Sequence, residues 1–149
     1  MTTNGIALHR RLPALVENGL THLNLSLDTL DPFKFEIMTR RRGHDTVLRT
    51  LDVALQLPIE TIKLNVVVIR GLNDVEVLDF VELTRHKPIS VRFIEFMPFT
   101  GSSSLFGKLT SSYSWWQATS GIRKRWSLLQ SSSSASEYII RLPYELQTI

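Results

Sequence analysis

The stretch from Ser90 to Pro98 carries two charged side chains within an apolar run. It reads Ser-Val-Arg-Phe-Ile-Glu-Phe-Met-Pro, so Arg92 and Glu95 stand among hydrophobic residues that a proline then ends. A barrel strand that delivers polar groups to a ligand at its carboxyl end has this composition. Ion pairing of both residues with neighbouring elements would also satisfy the charges, and the pattern leaves the two interpretations open.

A second apolar run contains a single cation. Lys63 and Asn65 alternate with Leu64 and Val66, which places both polar side chains on the same face of a strand. An ammonium group inside a β/α core is costly unless it is paired or faces a polar site. We therefore interpret Lys63 as a cation for an anionic ligand and Asn65 as a neutral donor and acceptor. The alternative is an edge strand with Lys63 in solvent.

Asn24, Ser26 and Asp28 share a face by the same period of two. Ser26 closes a run of otherwise apolar side chains, which predicts a small hydrogen-bonding group at the end of a strand. Asp28 and Thr29 are also typical turn residues before a helix, an alternative that leaves Asn24 unexplained.

Other polar motifs have ordinary structural interpretations. Residues 2–5, Thr-Thr-Asn-Gly, are typical of a turn and a helix cap. Residues 40–43, Arg-Arg-Arg-Gly, are typical of a solvated loop, with phosphate or nucleic-acid binding as the alternative. The four histidines lack metal-ligand spacing and are predicted to be surface or capping residues. They are His9, His22, His44 and His86.

Three apolar runs are predicted strands, over residues 22–27, 62–69 and 89–96. The middle run is rich in β-branched residues, as a strand buried on both faces would be. Helical patterns separate the runs and give the order α-β-α-α-β-α-β. Strands that alternate with helices imply right-handed crossovers and a parallel sheet, so the predicted fold class is α/β.

Local signals mark the predicted helices. The first ends at Asn18-Gly19, and Pro13 either interrupts it or begins it. The second is predicted to begin at Pro32, with Asp31 as its N-cap. The third covers residues 47–55, with Asp45 or Thr46 as its cap. The fourth is predicted to begin at Asn73-Asp74 and to bury Val77, Leu78, Val81 and Leu83.

Composition limits the possible classes of protein. The 149 residues, 43% of them hydrophobic, suit one globular domain, and they are too few for a complete (β/α)8 barrel of about 250 residues. No apolar run reaches the roughly 20 residues that cross a bilayer, and the first residues lack signal-peptide features. The first 101 residues carry twelve basic and twelve acidic side chains, so a nucleic-acid-binding surface is not indicated. No cysteine is present, which excludes disulfides, thiolate metal sites and cysteine nucleophiles.

The composition changes after Gly101. Residues 1–101 are predicted to form the α/β part, and residues 102–149 a divergent, irregular and partly disordered tail rich in Ser and Trp. Thirteen serines lie between positions 102 and 136. Residues 131–136 are predicted to be a flexible linker, residues 112–130 a helix and residues 137–142 a short strand.

In their order and spacing, these motifs resemble those of GTP 3',8-cyclase, the radical-SAM enzyme family of molybdenum cofactor biosynthesis. The resemblance covers residues 2–101. The motifs that carry it are Thr2-Thr3-Asn4-Gly5, Asn24-Leu25-Ser26-Leu27-Asp28, Lys63-Leu64-Asn65, Arg70-Gly71-Leu72-Asn73-Asp74 and Arg92-Phe93-Ile94-Glu95-Phe96-Met97-Pro98.

The resemblance implies an incomplete, laterally open radical-SAM (β/α) barrel, with this chain as the central fragment of the enzyme. It implies GTP contacts at Thr2 and Lys63 and S-adenosylmethionine contacts at Ser26 and Met97. The bottom-up interpretations of Lys63 and Ser26 agree with these roles. Further polar residues are expected to support the site, namely Asn4, Asn24, Asn65, Arg92 and Glu95.

The resemblance also implies iron–sulfur cofactors whose ligands this chain lacks. The family uses S-adenosylmethionine and two iron–sulfur clusters, whose cysteine ligands are absent here. We therefore expect no catalytic residue, no metal ligand and no activity of the chain alone in converting GTP toward cyclic pyranopterin. The alternatives are a truncated isoform that binds GTP, S-adenosylmethionine or a full-length partner, an unrelated enzyme with Lys63 as a Schiff-base lysine, and, weakest, a nucleic-acid binder.

The expected partners are GTP and S-adenosylmethionine, without nucleic acid or membrane. Exposed barrel edges predict self-association into a homo-oligomer. The family implies the mitochondrial matrix in a eukaryote and the cytoplasm in a bacterium.

Overall fold

The computed structural model describes residues 1–96, 129–131 and 137–140 and shows a six-stranded sheet with helices. The strands lie in the order β1-β2-β3-β4-β6-β5. Strands β1 to β4 run parallel to one another, whereas β6 runs antiparallel to both β4 and β5. The strands are β1 Thr2–Thr3, β2 His22–Ser26, β3 Thr61–Val68, β4 Ser90–Glu95, β5 Leu129–Ser131 and β6 Glu137–Ile140.

The predicted parallel α/β sheet is confirmed, and the three long strands agree with their predicted bounds to within one residue. The short strand β1 was not predicted, whereas a later strand was. Thr2 and Thr3 form a short parallel strand beside β2 rather than only a turn. The strand predicted over residues 137–142 is confirmed at Glu137–Ile140, where it pairs with β4.

The serine-rich region only partly matches its prediction. Leu129 and Gln130 belong to strand β5, so the helix predicted through residue 130 is wrong at its end. Ser131, the first residue of the predicted linker, also lies in β5. The remainder of the predicted helix and linker lies outside the described residues. The division into two regions at Gly101 stays a prediction.

The helices begin and end at local signals. Helix α2 begins where predicted, because Oδ1 of Asp31 accepts hydrogen bonds from the backbone N–H groups of Phe33 and Lys34 at 2.7 and 3.1 Å. It ends at Thr39, and the next residue, Arg40, caps it in a left-handed conformation (φ 56°). The helices are α1 Leu12–Glu17, α2 Pro32–Thr39, α3 His44–Leu55 and α4 Val77–His86, with a 3-10 turn at Asp74–Glu76.

The predicted cap of α3 is wrong. The helix begins at His44 with Gly43 as its N-cap, not with Asp45 or Thr46. Gly43 has a φ of 138°, a conformation that side chains disfavour. Its carbonyl accepts the N–H groups of Thr46 and Val47, both at 3.0 Å. The arginine-rich stretch before Gly43 is thus the short connection between two helices.

Helix α4 starts later than predicted and buries a different residue. Asn73 and Asp74 lead into the 3-10 turn, and the α-helix begins at Val77. Leu78 is 53% exposed rather than buried, and Phe80 takes the core position instead. The ring of Phe80 meets that of Phe93 edge-to-face at 6.2 Å.

The hydrophobic core lies between the helices and one face of the sheet. Burial alternates along β2 and β3, so every second side chain is fully buried and the others are half buried or exposed. The buried set includes Leu23, Leu25, Leu64, Val66, Val91 and Phe93 from the strands and Leu12, Val47, Leu51, Ala54 and Val81 from the helices. The opposite face of the sheet is therefore left for polar side chains. Within the described residues, no helix has the length and apolar character that crossing a bilayer requires.

Candidate functional site

The half-buried face of the sheet carries two rows of polar residues across adjacent strands. In the first row, Thr2, Asn24 and Lys63 stand side by side on β1, β2 and β3. Neighbouring strands lie about 4.8 Å apart, so these side chains are within reach of one small ligand. Nδ2 of Asn24 already donates to Oγ1 of Thr2 at 3.3 Å.

Lys63 is the cation of this row. It lies on β3, between β2 and β4, so the alternative of an edge strand is wrong. Its side chain is half buried and forms no ion pair with another described residue. An ammonium group in the middle of a sheet without a carboxylate partner favours an anionic ligand.

The second row lies two residues further along the strands, toward their carboxyl ends. Ser26, Asn65 and Arg92 stand in register on β2, β3 and β4, and all three are half buried. Oδ1 of Asn65 is buried and accepts no hydrogen bond from any described residue. An unsatisfied buried acceptor costs about 1–3 kcal/mol, so this row favours a ligand that supplies a donor.

Asp28 connects the strands just beyond the second row. Its Oδ1 accepts the backbone N–H of Val67 at 2.8 Å, and its carbonyl accepts Nδ2 of Asn73 at 2.6 Å. Burial raises the pKa of Asp28 above its ordinary value of 3.8, and the Val67 hydrogen bond opposes that rise. Asp28 therefore joins β2 to β3, a role beyond that of a turn residue.

The side chain of Asn73 stabilises the same edge of the sheet through hydrogen bonds to the backbone. It is 2% exposed. Its Nδ2 also donates to the carbonyl of Val67 at 2.8 Å, and its Oδ1 accepts the N–H of Ile69 at 2.7 Å. These hydrogen bonds satisfy backbone groups at this edge of the sheet.

Glu76 is the centre of a hydrogen-bond network that its sequence context did not predict. Its carboxylate, in a residue only 6% exposed, accepts the hydroxyl of Thr29 at 2.7 Å, the N–H of Leu30 at 2.8 Å and Nζ of Lys34 at 2.7 Å. Burial alone would raise the pKa of Glu76, but these three donors outweigh it and hold the pKa below 4.5. The hydrogen bond to Glu76 raises the pKa of Lys34 in turn. The only sequence signal was a carboxylate between two valines.

The remaining predicted site residues are placed as follows. Asn4 follows β1 and is exposed, and its Oδ1 accepts the N–H of Ile6 at 3.3 Å, as in a local turn. Glu95 is the last residue of β4, opposite Val68. Met97 lies outside the described residues. The structure thus brings together Thr2, Asn24, Ser26, Lys63, Asn65 and Arg92 on one face.

One histidine prediction is wrong. His44 is 7% exposed and packs edge-to-face against Phe35 at 5.5 Å, so it belongs to the core rather than the surface. His22 and His86 are exposed, as predicted, and contact Thr21 and Glu82. Within residues 1–96 and the two described C-terminal strands, no three groups are placed to bind a metal ion.

Comparisons with known proteins give a consistent result. A family model described as the Radical SAM superfamily matches residues 1–84. Over 102 residues the chain is 61% identical to "GTP 3',8-cyclase, mitochondrial" of Arabidopsis thaliana, covering 68% of this chain and 26% of that protein. Over 126 residues it is 48% identical to "Molybdenum cofactor biosynthesis protein 1" of Mus musculus, covering 85% and 19%. It is 52% identical over 99 residues to "GTP 3',8-cyclase" of Chlorobaculum tepidum, covering 66% and 30%.

Two solved structures share the fold. TYW1 with a lysine–pyruvate adduct superimposes with a TM-score of 0.63 at 20% identity, covering 94% of this chain and 45% of that chain. Archaeal TYW1 gives a TM-score of 0.59 at 21% identity, covering 94% and 44%. The chain spans less than a third of the length of the three sequence relatives. The sequence identities confirm the resemblance predicted from the motifs.

Proposed function

This chain belongs to the radical SAM superfamily, and from that premise we propose that it forms the substrate-binding part of a GTP 3',8-cyclase of molybdenum cofactor biosynthesis. The observation that carries the proposal is the pair of polar rows on the half-buried face of a parallel sheet. Ligands of β/α barrels bind at the carboxyl ends of the strands, and Ser26 of the second row is the last residue of β2. The high identity to relatives named GTP 3',8-cyclase supports the choice of substrate.

The first row is proposed to bind GTP. Lys63 would place its ammonium group against the phosphates, and Thr2 would hydrogen-bond the nucleotide from the neighbouring strand. Lys63 suits this role because it has no carboxylate partner among the described residues and sits on a central strand. Asn24 already donates to Thr2 and would hold its hydroxyl in place.

The second row is proposed to bind S-adenosylmethionine, with Ser26 as the contact that the resemblance implies. Oδ1 of Asn65, which lacks a donor, would accept a hydroxyl or amino hydrogen of this ligand. Arg92 and Glu95 are proposed to support the ligands from β4, and Met97 keeps the role that the resemblance implies. When bound, S-adenosylmethionine supplies the group that takes a hydrogen atom from the ribose of GTP in this family.

Iron–sulfur clusters do not fit the residues of this chain. Their ligands are cysteine thiolates, and the 149 residues include no cysteine. We therefore assign no catalytic step to this chain, only the binding and orientation of two substrates. The same fact favours the second candidate function, a non-catalytic protein that binds GTP, S-adenosylmethionine or a full-length partner.

The compartment proposed is the mitochondrial matrix if the organism is a eukaryote, and the cytoplasm otherwise. The name of one relative includes the word mitochondrial.

The proposal is tested by replacing Lys63 with Met and measuring GTP and S-adenosylmethionine binding by titration calorimetry. Hydrogen bonds to charged groups contribute about 1.5–3 kcal/mol, so we expect GTP affinity to fall about 10- to 100-fold. S-adenosylmethionine affinity should be unchanged. The matched control is Lys87→Met, because Lys87 pairs with Asp52 on the surface. The proposal fails if the unaltered chain binds neither ligand, or if both substitutions weaken GTP binding equally.

A further inference from the structure

An open cavity of about 520 Å³ lies between the loop that follows β1 and the first turn of α3. Its size falls within the range of small-molecule sites in proteins, about 300–1,000 Å³. The residues that line it are Ile6, Ala7, His9, Arg10, Arg11 and Thr46. Helix α3 packs on the buried face of the sheet, so the cavity is separate from the two polar rows.

The lining of this cavity carries positive charge without a counterion. Arg10 and Arg11 are exposed and form no ion pair with any described residue. No carboxylate is among the lining residues. The carboxylate nearest in sequence on α3, Asp45, is directed to His44 at 3.5 Å and is 94% exposed. Two adjacent guanidinium groups without a partner favour an anion.

His9 adds a polar atom that has no partner. Its Nδ1 is buried and forms no hydrogen bond with any described residue. A ring nitrogen can either donate or accept a hydrogen bond, according to its tautomer. Since buried polar atoms are normally satisfied, a ligand in the cavity is a suitable partner for this nitrogen.

The loop that forms the cavity wall is held in place. The hydroxyl of Thr50, on α3, donates to the carbonyl of Gly5 at 2.7 Å. The N–H groups of Arg11 and Leu12 donate to the carbonyl of Leu8 at 2.8 and 2.9 Å. The backbone of this wall is therefore fixed by hydrogen bonds, which reduces the entropic cost of ordering it when a ligand binds.

We propose that this cavity binds the phosphate group of a phosphorylated small molecule, through Arg10, Arg11 and His9. Arginine pairs with phosphate through two parallel hydrogen bonds, and adjacent arginines can do so from two sides. The phosphate belongs to a metabolite other than the GTP proposed to bind at Lys63, because Lys63 lies on the opposite face of the sheet.

The test uses pyrophosphate as the probe and titration calorimetry on the whole chain. We expect saturable binding that weakens at least tenfold in the double variant Arg10→Gln/Arg11→Gln. The matched control is Arg41→Gln/Arg42→Gln, which removes two adjacent exposed arginines from another loop and should leave the affinity unchanged. Because pyrophosphate can also bind at Lys63, the comparison is repeated in the Lys63→Met background, in which Arg10→Gln/Arg11→Gln should again weaken binding at least tenfold.

A second measurement needs no substitution. Adding pyrophosphate to the unaltered chain should shift the NMR signals of the His9 ring more than those of His22 or His86. The proposal is overturned if pyrophosphate does not bind, if the control loses affinity as much as the double variant, or if only Lys63→Met abolishes binding. The last result would place the phosphate at the polar face of the sheet instead.

Discussion

At the scale of single residues, the carboxylate of Glu76 holds together the loops beside the candidate site. Its three donors come from Thr29, Leu30 and Lys34, which follow β2, whereas Glu76 itself precedes α4. The loop after β2 thus cannot move independently of the loop after β3. Because Ser26 and Asn65 lie near these two strand ends, the network fixes the geometry of the second polar row.

Replacing Glu76 with Gln is expected to lower the free energy of unfolding by about 1–3 kcal/mol. The amide keeps one acceptor and places an NH2 group against donors. The measurement is urea unfolding at pH 7, with Glu82→Gln as the control. Glu82 forms only surface ion pairs with Arg85 and His86, so its replacement should change stability by less than about 0.5 kcal/mol.

The stabilising effect of Glu76 on the free energy of unfolding should also depend on pH. The pKa of Glu76 is lower in the folded state than its ordinary value of 4.5. The ionised carboxylate therefore makes its full contribution to the free energy of unfolding above pH 4.5. That contribution is lost as the pH falls through the pKa of the folded state. Unfolding free energy should therefore decrease less steeply below pH 4.5 in Glu76→Gln than in the unaltered chain. Equal slopes would show that the network does not stabilise the fold.

At the scale of elements, the short strand β1 depends on the glycine that follows it. Gly5 has a φ of 74°, and a Cβ built on it would lie 2.5 Å from Cδ1 of Leu25, a fully buried residue of β2. Glycine is thus required both for the backbone conformation and for the close approach to the core. This close approach lets Thr2 reach the polar row while the loop after it turns toward α3.

Gly5→Ala and Gly19→Ala separate these two requirements. Gly19 also has a positive φ, 93°, but nothing lies within 4 Å of the position of its Cβ. Its substitution should cost about 1–2 kcal/mol, for the backbone conformation alone. Gly5→Ala should cost about 1–3 kcal/mol more, for overpacking against Leu25. Thermal unfolding followed by circular dichroism measures both, and equal losses would contradict the packing argument.

At the scale of the whole molecule, the described helices cover one face of the sheet, and among the described residues the other face is half buried and largely polar. Such a face suits the binding of ligands. We therefore propose a separation of binding from catalysis in this chain, because the polar face is present whereas the cysteines that would hold an iron–sulfur cluster are not.

This separation predicts two results for the same sample. After incubation with iron and sulfide, the chain with S-adenosylmethionine, GTP and dithionite should form no 5'-deoxyadenosine. GTP at 100 times its dissociation constant should nevertheless stabilise the fold by about 2.7 kcal/mol, which raises the melting temperature by roughly 5–10 °C. Formation of 5'-deoxyadenosine would refute the first expectation, and an unchanged melting temperature would refute the second.

Self-association of the exposed sheet edges stays a prediction, and sedimentation of the same sample measures it.

Much of the fold and of the site followed from short-range patterns. The period of two placed Asn24 and Ser26 on one side of β2 and Lys63 and Asn65 on one side of β3, and the Asp31-Pro32 signal placed the start of α2. Both signals act over a few residues and need no knowledge of distant parts of the chain.

The sequence by itself determined the order of the four helices and three long strands, the polar side of β2 and of β3, and the absence of thiolate ligands. Only the tertiary structure decided that Lys63 lies on a central strand, that His44 is buried against Phe35, and that Glu76 binds residues more than forty positions away. The physical reason is that strand neighbours and buried hydrogen bonds depend on which distant segments pack together. A residue's own neighbours in the chain do not specify that packing.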